Sequence, residues 1–145
     1  MEKIERIQVN SIRVGSYILL DDVVVRVVET HTAKPGKHGS AKMLINAVEV
    51  ITGKQKSGFC HTGGMIDVPV IDRKEYQLLD VNDNFLSLLD HNGNTRDDIT
   101  IESNEIGDKI RSMFEKSEET RYIMVQVMHF MDVDLVVDAK FSNKN

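Results

Sequence analysis

The chain holds a single cysteine, Cys60, and only two prolines among its 145 residues. One thiol cannot close an intramolecular disulfide, so a fold stapled by cystines is excluded and nothing points to an oxidising compartment. No apolar run approaches the roughly 20 residues that a membrane-spanning helix needs. The opening "MEKIERIQVN" carries charges where a secretory signal requires an apolar core. These absences set the expectation of a soluble, cytoplasmic chain. No internal repeat or low-complexity tract is present, and the first half has no convincing helical stripe.

The scarcity of proline makes each one informative. Pro35 stiffens a polar stretch, "TAKPGKHGSAK". Pro69 lies in "MIDVPVIDRKEY", where the composition turns from basic to acidic. Proline cannot donate to a ladder in a central strand, so Pro69 marks a sheet edge or a domain junction. The boundary is placed there, between residues 1–68 and 69–145. Net charge divides at the same point. Residues 1–68 hold nine Lys/Arg against seven Asp/Glu, a net of +2, and residues 69–145 hold nine against sixteen, a net of −7. The first unit is the one better suited to a phosphate backbone.

Hydrophobic residues make up 41% and charged residues 28%, a globular composition. The apolar residues come in short runs broken by turn signals. "YILLDDVVVRVVET" has a β-branched run from Val23 to Val28 after an Asp-Asp turn. "KMLINAVEV" is partly alternating, and "TGK" at 52–54 precedes "QKSGFC" as a hairpin turn. The first half therefore reads as a small, curled antiparallel sheet. In the second half, "EYQLLDV" and "FLSLLD" are strands around the turn "NDN", and "HNGN" supplies an Asn-Gly turn before "TRDDITI". "SNEIGDKIRSMFEKSEE" then sets Ile106, Ile110, Met113 and Phe114 at helical spacing, with Ser103 as candidate cap ahead of Glu105. "RYIMVQVMHF" and "LVVDAKF" follow as strands. Three strands, a helix and two strands is the element order of an OB-fold, a five-stranded Greek-key barrel.

Between two strands of the first half, "TAKPGKHGSAK" contains no strongly apolar side chain. Gly36 and Gly39 permit positive φ and Pro35 fixes the backbone before them, which predicts an exposed tip presenting Lys37 beside His38, flanked by Lys34 and Lys42. A plain hairpin loop accounts for such a composition, yet structureless connections of this length are disproportionately functional. A P-loop would need Ser or Thr after Gly-Lys at a helix start, and His38 stands there instead. "GKHG" has the GXXG form of a KH clamp without its helical setting. A Schiff-base lysine needs desolvation that a tip among other lysines does not supply. His31, His38 and His61 with Cys60 lack any standard zinc spacing, and Cys60 reads as a packed residue. No Ser–His–Asp or paired-carboxylate arrangement stands out, so neither a catalytic nor a metal site is expected.

The run "PGKHGSAK" resembles the modification loop of the translation initiation factor 5A family, the eukaryotic and archaeal relatives of bacterial elongation factor P. "ITGKQ", "MIDVPVI", "YQLLDV", "FLSLLD", "TRDDI" and "IGDKI" occur in the family's order, so the resemblance spans nearly the whole chain. Pro35 and Ser40 resemble archaeal versions of the loop, whereas the second half is more similar to eukaryotic ones. The resemblance implies an all-β fold with one short helix, an SH3-like barrel over 1–68 and an OB-fold over 69–145. It implies that Lys37 receives an aminobutyl group from spermidine through deoxyhypusine synthase, with NAD as that enzyme's own cofactor, and that a hydroxylase completes hypusine. The chain itself would then need no cofactor or metal and would not be an enzyme. Lys34, Gly36, His38, Gly39 and Lys42 would form the surrounding RNA- and tRNA-contacting loop.

The implied partners are the ribosome, its rRNA and peptidyl-tRNA, together with the two modifying enzymes, with no membrane insertion; a weak homodimer is also allowed. The implied role is promotion of elongation at stalls such as consecutive prolines, and of termination. Two other classes compete. A stand-alone RNA-binding OB-fold would combine a basic groove with aromatic platforms, and the second half is acidic with few exposed-looking aromatics. A self-assembling structural relative, like the fungal Woronin-body protein, is expected to lack the modifiable lysine that this sequence retains.

Overall fold

The computed structural model describes residues 4–33 and 41–144. Eleven strands and one α-helix are found among them, and the chain divides into two compact units, Met1–Val70 and Ile71–Asn145. The division falls two residues beyond the 68/69 boundary read from charge and proline. Val68 is buried in the core of the first unit, and Pro69 ends a strand by pairing with Ile4.

In the first unit, β1 (Ile4–Gln8) pairs antiparallel with β6 (Met65–Pro69) as a two-stranded ribbon. A four-stranded antiparallel sheet runs in the order β2 (Tyr17–Leu20), β3 (Val23–Ala33), β4 (Lys42–Glu49) and β5 (Gln55–His61). β2 and β3 are joined by Asp21 and Asp22, which carry φ of 51° and 65°. Two successive positive φ values define the turn whose twist matches a hairpin, and aspartate tolerates them because its short carboxylate crowds the backbone little. Val9, Ile12, Ile18, Val25, Val27 and Ile45 form the centre of the core. Alternation is clean on β4, where Met43, Ile45 and Ala47 are buried while Lys42 is exposed and Leu44, Asn46 and Val48 are only partly covered.

The second unit is one curled five-stranded sheet in the order β11 (Val133–Asn143), β10 (Arg121–Phe130), β7 (Asp72–Asn82), β8 (Phe85–Leu89) and β9 (Thr95–Thr100). β7 is 11 residues long and serves two neighbours: its first half pairs with β10 and its second half with β8. β11 and β9 approach each other at the open seam. The helix α1 (Glu105–Glu115) packs on β11 and β7 and sends Ile110 and Met113 into the core. This is the Greek-key barrel that the element order implied, and the described residues are all-β with one short α-helix.

Two local expectations are corrected. The cap of α1 is Asn104, whose Oδ1 accepts a 2.8 Å hydrogen bond from the Gly107 amide; Ser103 lies one residue too early. The β8–β9 connection is also longer than an Asn-Gly turn. It spans 90–94, with Asp90 Oδ1 accepting from the Asn92 amide at 2.8 Å and the Asn94 amide at 2.9 Å, while Gly93 takes φ 82°. An aspartate that satisfies two amides at once organises the loop better than a bare two-residue turn would.

Candidate functional site: the base of the β3–β4 connection

Lys34, Gly36, Lys37, His38 and Gly39 lie outside the described residues, whereas Lys42, the last residue of the expected loop, lies within them. Both ends of the connection are anchored. Ala33 and Lys42 are register partners, and Lys42 pairs on its other side with His61 of β5. Thr62 holds Ala41 twice: its amide donates to the Ala41 carbonyl at 3.0 Å and its hydroxyl donates to the same oxygen at 3.1 Å. Ala33, Ala41 and Lys42 thus have defined positions on the sheet at the two ends of the connection. Thr62 was not singled out from the sequence, because nothing local marks a threonine beyond a strand as the anchor of a residue 21 positions earlier.

The chemistry at this base is cationic and polar. Lys42 and His61 are exposed and adjacent across the ladder, and His31 Nε2 on β3 is hydrogen-bonded with Glu29 Oε1. Cys60 pairs in register with Met43 and packs against the core, and burial pushes its thiol pKa up, away from the thiolate that nucleophilic chemistry needs. Among the described residues no group of three or more His, Cys, Asp or Glu is placed to hold a metal ion.

The second unit contains a denser polar cluster. Arg96 donates to Asp98 through Nε at 3.0 Å and Nη2 at 2.6 Å, to Asp134 at 3.1 Å and to the Tyr76 hydroxyl at 3.2 Å. His129 Nδ1 lies 2.9 Å from the other oxygen of Asp134. The guanidinium holds the Asp98 carboxyl below the usual carboxylate range. A cleft of about 220 Å³ lies beside these groups, lined in part by Lys74, Arg96 and His129. Every nitrogen of Arg96 already has a partner and two carboxylates balance its charge, so the cluster ties strands β7, β9 and β11 together and leaves little positive potential for an anion.

A β unit with a Lys/Gly-rich connection between the register partners Ala33 and Lys42, followed by a five-stranded Greek-key barrel, defines a two-domain all-β protein with no catalytic constellation among the described residues. Comparison with known proteins gives this class its family. Residues 3–63 match the family model described as "Translation initiation factor 5A-like, N-terminal", and residues 70–140 match "Eukaryotic elongation factor 5A hypusine, DNA-binding OB fold". Eukaryotic translation initiation factor 5A of Dictyostelium discoideum is 35% identical over 137 residues, covering 94% of this chain and 84% of the relative. Factor 5A-1 of Saccharomyces cerevisiae is 32% identical, over 92% and 83% of the two chains. A solved 5A-family structure from Naegleria fowleri superposes with a TM-score of 0.79 at 30% identity, covering 94% of this chain and 98% of its own. The Methanococcus jannaschii factor, at 22% identity and a TM-score of 0.75, shares the fold. The chain belongs to the translation initiation factor 5A family.

Proposed function

We propose that this chain is a ribosome-binding translation factor of the cytoplasm that acts through a hypusine-modified Lys37. It enters the vacant exit-site region and lays the modified side chain against the acceptor end of peptidyl-tRNA. Peptide-bond formation at stalled sites, such as consecutive prolines, and peptide release at termination are thereby promoted. Deoxyhypusine synthase and its partner hydroxylase act on Lys37, and Lys34, Gly36, His38, Gly39 and Lys42 form the contact surface around it. The factor performs no covalent chemistry. Its contribution is positioning, which lowers a barrier when a poor substrate is misaligned.

The observation that carries this reading is the intact octapeptide "PGKHGSAK", whose last residue, Lys42, is the register partner of Ala33, in a chain of this family. An unmodified lysine offers one charge on a four-carbon stem. The extended side chain has two amines and a hydroxyl, and so can bridge phosphate and sugar along an RNA end. The glycines keep bulk away from the modifying enzyme. The net charge of +2 on residues 1–68, against −7 beyond, favours the first unit as the RNA-facing one.

Translation of a polyproline reporter in a reconstituted system tests the reading with modified wild type, modified Lys34→Arg and Lys37→Arg. Arginine keeps the charge but has no primary amine to accept the aminobutyl group. Lys37→Arg should stay folded yet fail to relieve stalling, whereas Lys34→Arg should lose much less. Full activity of Lys37→Arg would reduce the loop to a basic patch and overturn the assignment.

A further inference from the structure

The outer face of the first unit's sheet carries an aromatic ring with little packing to do. Phe59, on edge strand β5, is 70% exposed, more than any other large apolar side chain among the described residues. Register sets it opposite Leu44 on β4, and Leu44 opposite His31 on β3, so the three make one row across the sheet. One row closer to the 34–41 connection, on the same face, stand Lys42 and His61. One row further away, Ser57 Oγ donates to Asn46 Oδ1 at 2.7 Å. The one carboxylate in these rows, Glu29, is hydrogen-bonded to His31 Nε2.

We propose that this face docks single-stranded RNA, with Phe59 stacked on an unpaired base and Lys42 and His61 meeting the adjoining phosphates. The proposal rests on the reading of the first unit as RNA-facing and identifies where, beyond the loop, the strand lies. An exposed ring on a sheet face, flanked by cationic and imidazole groups, is an arrangement that binds unpaired bases, because every base has a π-face to stack. A protein partner would call for a contiguous apolar patch. Here the ring's neighbours in the row are the half-buried Leu44 and the polar His31, so the patch is one ring wide. A duplex hides its base faces in the stack, which selects a single strand.

The test uses the full chain with Lys37 unmodified, a fluorescein-labelled pyrimidine RNA of about twelve nucleotides, and fluorescence anisotropy at fixed salt. Phe59→Ala should weaken binding by about tenfold, within the range measured for loss of one base–aromatic stack. Phe59→Leu should bind as weakly as Phe59→Ala, while Phe59→Trp should bind at least as tightly as wild type. Lys42→Gln should lower the slope of log affinity against log salt by about 0.7, the increment for one phosphate contact on a single strand. All variants should melt with the wild type, since the side chain is mostly in solvent. Undiminished binding by Phe59→Ala, or recovery of affinity by Phe59→Leu, overturns the proposal. So does a result in which Phe59→Ala abolishes self-association in sedimentation but leaves RNA binding intact, which would give the face to a second copy of the chain. Lys37 is unmodified in every arm, so the outcome is separate from the polyproline assay. Lys37→Arg activity there would bring down the assigned function while leaving the Phe59 result standing.

Discussion

Of the described glycines, Gly107 has the least room for a side chain. A Cβ there would come within 1.8 Å of the Glu102 carbonyl oxygen, an atom of the backbone that also accepts a 3.0 Å hydrogen bond from Arg111 Nη1. Alanine would gain roughly 1 kcal/mol in helix propensity over glycine, but the clash can be relieved only by moving α1 away from the 101–104 segment. Gly107→Ala should therefore lose stability on balance, by about 1–3 kcal/mol as in other overpacked sites, read as a lower urea midpoint. An unchanged or raised midpoint would show that the helix shifts at little cost. The sequence shows this glycine in "EIGDKI" but not the carbonyl facing it.

Secondary elements here are ended by side chains rather than by composition alone. Asn104 caps α1 through the Gly107 amide, and Glu105 and Asp108 place negative charge in the first turn, where the helix dipole favours it. Asn104→Ala should cost about 1 kcal/mol, whereas Ser103→Ala should change the urea midpoint little; equal losses from the two would contradict the cap geometry. The central strands β3 and β7 are interrupted by bulges, which are less legible. Val28 and Leu79 are 40% and 43% exposed, and each is the extra residue at a register shift, between Val27 and Glu29 and between Leu78 and Asp80. In the sequence both belong to apolar-rich stretches, "VVVRVV" and "YQLLDV". Period-two reading puts them on a definite face, and only pairing with the neighbouring strand reveals the inserted residue that turns them out.

At the scale of the molecule, the acidic second unit carries a pH dependence of predictable sign. Asp98 is held below the ordinary carboxylate range by the hydrogen bonds from Arg96, Asp138 by that from Lys109, and Asp90 by the backbone amides of Asn94 and Asn92. A carboxylate depressed in the folded state contributes stability above its unfolded pKa of about 3.9, and that contribution disappears as pH falls through the folded value. The urea midpoint should thus stay level from pH 7 to about pH 5 and fall as the pH drops below the unfolded value of about 3.9, and less steeply in an Asp98→Asn, Asp138→Asn double variant that starts lower at pH 7. Parallel curves for the two proteins would remove these carboxylates as the cause. The second unit has its own apolar core, built from residues such as Leu86, Leu88, Ile110 and Val125. Residues 71–145 expressed alone should accordingly unfold in one cooperative urea transition, and a fragment without one would show that its stability depends on the preceding 70 residues.

Periodicity, turn residues and charge determined much by themselves. They identified the strand-rich first half, the three-strand, helix, two-strand order of the second and the α1 face of Ile106, Ile110, Met113 and Phe114. The unusual Lys/Gly composition of 32–42 was visible in the same way. These features are local, because side-chain alternation and backbone permissiveness are written in neighbouring residues. Tertiary structure alone decided the rest. It joined Thr62 to Ala41, aligned His31, Leu44 and Phe59 in one row from three strands, gathered Arg96 with Asp134 and Tyr76, and inserted the bulges that turn Val28 and Leu79 outward. Each of these depends on the register between strands far apart in the chain. Register is settled by how whole apolar faces fit together, a sum over many residues that no short stretch encodes.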